Sequence, residues 1–294
     1  MYKLKNTVID RMVDKQLSSK EIDFILYIAQ YQDDTGRVIS VYYKDVCEKI
    51  DISVQKFYDI LENLQKKDLI SYEKLHKADV AVKIQKNNFS ENNFEAGYLN
   101  VASTDFQNKK FRKMKAGAKL LYLYMQRFIA GKHMLVQKFY DEFCKLFHVT
   151  RKTLQAYLHE LKKNYYLFVS KKRNKAANYE MTMKNSTVLK KKVRIPREKE
   201  GYLHNIEVLI ERNFVKYLPE RGSKEVLRDI AALADSKRAE KHHDFISLIV
   251  NAVSESLLKQ KKEGRKEQVL NAALVNKCLS DILEQQVMKR FGLA

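Results

Sequence analysis

The feature that most constrains this chain is an internal repeat. The segment YKDVCEKIDISVQKFYDILENLQKKDLI, beginning at Tyr43, aligns with YDEFCKLFHVTRKTLQAYLHELKKNYYL, beginning at Tyr140. At an offset of 97 residues, Tyr43 meets Tyr140 and Cys47 meets Cys144. Ile50, Ile52, Phe57, Leu61 and Leu64 meet Phe147, Val149, Leu154, Leu158 and Leu161, and Ser53 meets Thr150. Apolar positions coincide while polar ones diverge, as in two copies of one fold whose outer faces do different work. Two copies are too few for a solenoid, so the expectation is two separate domains.

Both copies carry the same order of elements. In the first, Ser19 is placed to cap a helix through EIDFILYIAQY, DDTG is a turn, and Val38–Ser40 is a short strand. A helix over Tyr43–Ile50 follows, then a three-residue turn ending in Ser53 as N-cap, then a helix to about Lys67. That helix is expected to bury Val54, Phe57, Ile60, Leu61 and Leu64. DLISYEKL and VAVKIQ read as strands joined by HKAD. The second copy opens with a helix over Ala116–Ala130, followed by the turn and strand GKHMLV and a helix over Lys138–Phe147. A third helix, capped by Thr150, is expected to bury Leu154, Tyr157, Leu158 and Leu161. YLFVS and NYEMTM close it as strands around KKRNKAA.

Charge separates the copies. The chain of 294 residues carries a formal net charge of +20. Residues 1–86 hold 15 Lys and Arg against 14 Asp and Glu, whereas residues 105–184 hold 19 against 5. A uniform lysine bias would not concentrate the excess in one block, so the charge points to a polyanionic partner. Cys47, Cys144 and Cys278 lie far apart in sequence, which excludes a zinc spacing and argues against a disulfide framework. They read as small buried residues. The segment MYKLKNTVIDRMVDKQ lacks the apolar core of a signal peptide, and no apolar run approaches a membrane span. The expectation is a soluble cytoplasmic protein, associated with nucleoid or plasmid.

Helix, short strand, helix, tight turn, helix and hairpin is the order of the winged helix-turn-helix. KDVCEKIDISVQKFYDILENLQKKDLI and DEFCKLFHVTRKTLQAYLHELKKNYYL both resemble that family directly. The resemblance implies a mainly α fold with small β-hairpin wings (α+β), in which the third helix enters the major groove of double-stranded DNA. In the second copy the outward positions of that helix are Arg151, Lys152, Thr153, Gln155, Ala156, His159, Lys162 and Lys163, with Thr150 at its start. Arg pairs bidentately with guanine and Gln with adenine, while terminal lysines suit phosphates. Lys171, Lys172, Arg173 and Lys175 make the second wing a candidate backbone contact. In the first copy the candidates are Gln55, Lys56 and Tyr58. Asp59 and Glu62 share that face and would repel phosphate, so dimerisation or docking is an equal reading there.

The implied organisation is winged helix 1 over 1–86, a linker and lead-in strand over 87–109, and winged helix 2 over 110–184. A basic linker spans 185–202 and a helical bundle 203–294. In the bundle, LHNIEVLIERNFVKYL runs to Pro219 and Ser223 caps the next helix. An amphipathic stretch covers Glu240–Lys262, broken by Gly264. The last helix spans about Lys266–Phe291 and is expected to bury Val269, Leu270, Ala273, Leu274, Leu279, Ile282, Leu283 and Val287. A bundle of this kind suits a homo-oligomer, such as a dimer, or a replication or transcription partner. His242 and His243 are adjacent, point to different faces, and make a poor metal pair.

No phosphate-binding glycine loop, GxSxG or HExxH is present, so neither enzyme, cofactor nor metal site is expected. Two tandem copies resemble bacterial plasmid and phage replication initiators, which bind repeated origin sites. The helical C-terminal region is more similar to DnaD-like replication proteins. A transcription regulator, or an architectural or segregation protein with little sequence preference, remains open.

Overall fold

The computed structural model describes residues 2–76, 79–90, 97–101, 106, 108–128, 134–171, 178–183, 198–237, 245–265 and 267–290. The chain is mainly helical with small antiparallel sheets and divides into two compact units, Met1–Glu198 and Lys199–Ala294. Both copies of the repeat lie in the first unit and share one continuous hydrophobic core.

The first copy runs β1 (Tyr2–Lys5), α1 (Asn6–Asp14), α2 (Ser19–Ala29), β2 (Arg37–Tyr42), α3 (Tyr43–Ile50), α4 (Val54–Lys66), β3 (Ile70–His76) and β4 (Asp79–Ile84). The second runs β5 (Tyr98–Val101), α5 (Lys109–Lys113), α6 (Ala116–Met125), β6 (Met134–Leu135), α7 (Val136–Phe147), α8 (Arg151–Lys163), β7 (Leu167–Lys171) and β8 (Asn178–Met183). The sheet orders match, β2-β4-β3 and β6-β8-β7, all antiparallel.

The correspondence reaches the backbone. Asp51 and His148, 97 residues apart, both take left-handed conformations (φ 56° and 52°). This turns the chain so that Ile52 N–H donates to Cys47 C=O (3.1 Å) and Val149 N–H to Cys144 C=O (3.0 Å). Ser53 and Thr150 then cap α4 and α8 by accepting from the N–H of Lys56 (3.2 Å) and Thr153 (3.3 Å). After each of these helices Asp68 and Tyr165 repeat the left-handed turn, at φ 55° and 63°.

Several sequence expectations shift. Ser18, not Ser19, caps α2, because Ser18 and Glu21 have the spacing of a capping box: the Ser18 N–H donates to Glu21 Oε2 (2.7 Å). Val54 is 46% exposed, since it stands on the first turn of α4, outside the core-facing stripe. The helix expected to reach Ala130 tightens at Gln126 into a 3₁₀ turn ending at Phe128. Tyr157 is half-buried, its ring lying over Gly117, where a Cβ would sit 2.1 Å from the ring. Cys47 and Cys144 are half-buried and only Cys278 is fully enclosed. The polar stretch after β4 begins with a fully buried residue, Asn87, which accepts from Lys5 N–H (2.8 Å) and donates to Gln32.

β1, α1 and α5 are elements the sequence did not announce. β1 pairs antiparallel with β5 and sets Lys3 opposite Asn100. Those two residues are equivalents in the 97-residue repeat, so a local two-fold axis relates the copies at this point. α2 packs on its own equivalent, α6, and α1 packs on α6 and α7. Inside this joint Lys119 Nζ meets Asp23 Oδ1 at 2.5 Å, with side chains 0% and 3% exposed. Burial pushes the Asp23 carboxyl up and the Lys119 ammonium down, opposed in each case by the partner's charge. Arg127 adds a second tie, pairing with Asp10 (2.6 Å).

In the second unit, α9 (Glu198–Phe214), α10 (Ser223–Lys237), α11 (Phe245–Lys262) and α12 (Ala272–Arg290) enclose Leu209, Ile210, Ile230, Ile249, Val253, Leu279 and Leu283. Ser223 is the first residue of α10 rather than its cap, because the N–H groups of Glu225 and Val226 both donate to Gly222 C=O. α12 begins at Ala272, not Lys266. The buried Gln260 amide clamps Val269 through both its N–H (3.0 Å) and C=O (2.8 Å), and Leu270 N–H donates to Tyr217 C=O (2.7 Å). Those bonds hold the approach to α12 as a loop. Val269 and Ala273 are accordingly exposed and Leu274 and Ile282 half-buried, while Leu270, Leu279 and Leu283 are buried as expected. The Val287 side chain, His242 and His243 lie outside the described residues.

Removing one member of a buried ion pair leaves an uncompensated charge, whereas replacing both by apolar groups is often neutral. Asp23→Ala should therefore destabilise the first unit by about 3 kcal/mol. The double variant Asp23→Leu/Lys119→Leu should recover most of that loss, read as the midpoint of chemical denaturation.

Candidate nucleic-acid interface

α8 is held by Leu154, Leu158 and Leu161, which face the core at helical spacing. This rotation turns Arg151, Lys152, Gln155, Ala156, His159, Lys162 and Lys163 to solvent, with Thr153 half-buried. The sequence-expected face is thus brought together on one helix. Arg151 is positioned further by stacking over the Tyr140 ring of α7 (4.5 Å), which draws the guanidinium toward the helix start. Thr150 is exposed, and its hydroxyl already caps α8 and meets Thr153 Oγ1 at 3.0 Å.

The hairpin expected to be the second wing is described only in part. Lys171 ends β7, and its side chain lies outside the described residues, as do Lys172, Arg173 and Lys175 entirely. The corresponding face of the first copy is different in kind. The Gln55 amide donates to Asp59 (2.9 Å), Lys56 is exposed, and Tyr58 is half-buried with Lys74 Nζ 5.7 Å from its ring. Glu62 is exposed on the same helix. A phosphate approaching α4 would meet two carboxylates.

Beside α8 runs an open groove whose far wall is α5 and the residues after it. It is lined by Lys110, Lys113, Met114, Lys115, Gln155, Ala156, His159, Glu160, Lys163 and Asn164. The sequence reading named none of the α5 lysines. Their signal is KKFRKMK at 109–115, five cations in seven residues, within a stretch that holds no Asp or Glu from 106 to 140. Among the described residues no group of three or more His, Cys, Asp or Glu could hold a metal, and no helix is long and apolar enough to cross a membrane.

A family model described as the helix-turn-helix domain of the M protein trans-acting positive regulator matches residues 139–174, spanning most of α7, α8 and β7. No curated protein and no solved structure matches the chain. Losing the cap should cost α8 stability without changing charge: Thr150→Ala lowers unfolding free energy by about 1 kcal/mol, measured by urea denaturation. The match rests on the same helix, turn and helix that carry the basic outward face, and this chain contains a helix-turn-helix element of the DNA-binding class.

Proposed function

We propose that the chain is a sequence-specific double-stranded DNA-binding protein that regulates transcription, built on two tandem winged helix-turn-helix copies of which the second is the reader. The observation that carries this reading is the coincidence of the helix-turn-helix match at 139–174 with the acid-poor, outward basic face of α8. In this reading Arg151 and Gln155 contact base edges, and Lys162 and Lys163 contact phosphates. The wing cations, Lys171, Lys172, Arg173 and Lys175, grip the backbone. The first copy, with Asp59 and Glu62 on α4, serves as a fixed pseudo-symmetric companion rather than a second reader. The reading needs neither a catalytic group nor a cofactor. It gives the helical second unit the task of oligomerisation or of docking a transcription or replication protein.

A second reading, replication initiation at repeated origin sites, is favoured by the duplication itself and by the packing of both copies into one unit. The two readings part on genomic footprint. The purified chain is incubated with fragmented host DNA, plasmids and prophages included, and the retained fragments are sequenced. Sites at several promoters support the regulator. A cluster of repeats at one origin supports the initiator. Even coverage supports sequence-neutral binding, and no retention overturns DNA binding.

The residues make a sharper prediction. Arg151→Ala/Lys152→Ala should abolish preference for the retained sites while leaving weak duplex binding. Neutralising Lys171, Lys172 and Arg173 should weaken binding to every duplex and flatten its salt dependence, read by fluorescence anisotropy between 50 and 200 mM salt.

A further inference from the structure

We infer that α5 and its exit form a second phosphate-gripping element, so that a duplex seated on α8 is also held along one strand by Lys110, Lys113 and Lys115. The inference rests on the DNA-binding reading of α8 and extends it to a segment outside the repeat motif and outside the matched family region. Lys110 and Lys113 are one helical turn apart on α5, and with Lys115 they line the same groove as Gln155, His159 and Lys163 of α8.

The element is short but rigidly placed. Phe111 is fully buried, with its ring 4.7 Å from Phe106, 6.1 Å from Tyr122 and 5.9 Å from Tyr166. Met114 is buried three residues on, and Arg112 donates to the Lys49 carbonyl at the end of α3. With Phe111 and Met114 turned inward, Lys110 and Lys113 are left facing water. Lys110 Nζ rests 5.6 Å from the ring of Tyr165, which is 65% exposed.

Among the described residues that line the groove the one carboxylate is Glu160, which is half-buried and already engaged: its Oε1 accepts from the Lys115 backbone N–H (3.0 Å). That bond ties the α5 exit to α8, and the acid's single charge is outnumbered by the lysines lining the groove. A wall of lysines facing a helix with Gln and His between its cations suits a polyanionic strand running between them. Phosphates would be met from both sides and base edges from α8 alone.

The test uses the full chain with Lys110→Ala/Lys113→Ala/Lys115→Ala, and a matched triple Lys→Arg variant. Binding to a retained site and to an unrelated duplex is titrated by anisotropy from 50 to 200 mM salt, with thermal unfolding confirming the native fold. The alanine variant should lose affinity for both duplexes in equal proportion. Its slope of log K against log salt should be shallower by about 3, and the arginine variant should keep the original slope. An unchanged slope in the alanine variant, while the unaltered chain binds, overturns the inference and leaves the α8 reading intact. The inference is equally overturned if the variant keeps duplex affinity but loses binding of poly-glutamate, which would assign the groove to an acidic protein partner. If the unaltered chain binds no duplex, the parent reading falls and takes this one with it.

Discussion

The two copies meet through the pairing of β1 with β5, the packing of α2 on α6 and ion pairs, of which that of Lys119 and Asp23 is buried on both sides. Each charge is flanked by buried apolar residues, Asp23 by Ile22 and Phe24, and Lys119 by Ala118 and Leu120. Either helix packed elsewhere would bury a charge without a counterpart. Taking two ions out of water offers little net stability, yet it discriminates strongly against any arrangement that separates them. The pair is thus compatible with the packing of α2 on α6 and with few alternatives to it, and β1 pairs with β5 beside it in a fixed register.

Around that joint the copies share element order, turns and caps and differ in surface. The same left-handed residues, the same caps and the same sheet order recur at a spacing of 97 residues. The arrangement is that of a symmetric dimer folded from one chain, which frees each half to change its outer face independently. α4 carries Asp59 and Glu62, while α8 carries cations and a basic groove. A covalent pseudo-dimer can thus carry two different faces on a duplicated frame, something a true homodimer cannot do.

Much of this was legible in the sequence because it is local. α3, α4, α7 and α8 announce themselves by apolar spacing and by Ser53 and Thr150 at their starts, and the outward residues of α8 follow from the same spacing. What escaped is non-local. β1 has four residues, two of them lysines, and its partner lies almost a hundred positions away, so no window of sequence contains both. α5 is a single turn, and its lysines read as undifferentiated charge until Phe111 and Met114 are seen to point inward. Val54, Val269 and Ala273 were misplaced because apolar character alone does not say where a helix begins, and caps and loop clamps decide that. A signal for the joint was present: Asp23 within IDFIL and Lys119 within AKLLYL, each a charge set among residues fit for burial.

The pairing of β1 with β5 also has a consequence for synthesis. The first copy is translated with its opening strand unpaired and Asp23 without its counterion, and both wait for residues through Lys119 to emerge. Until then the nascent chain carries an open β edge and an acid that has no counterion to accompany it into a core. Such long-range closure is slow compared with forming helices, so the first copy reaches its final packing only after the second has been made.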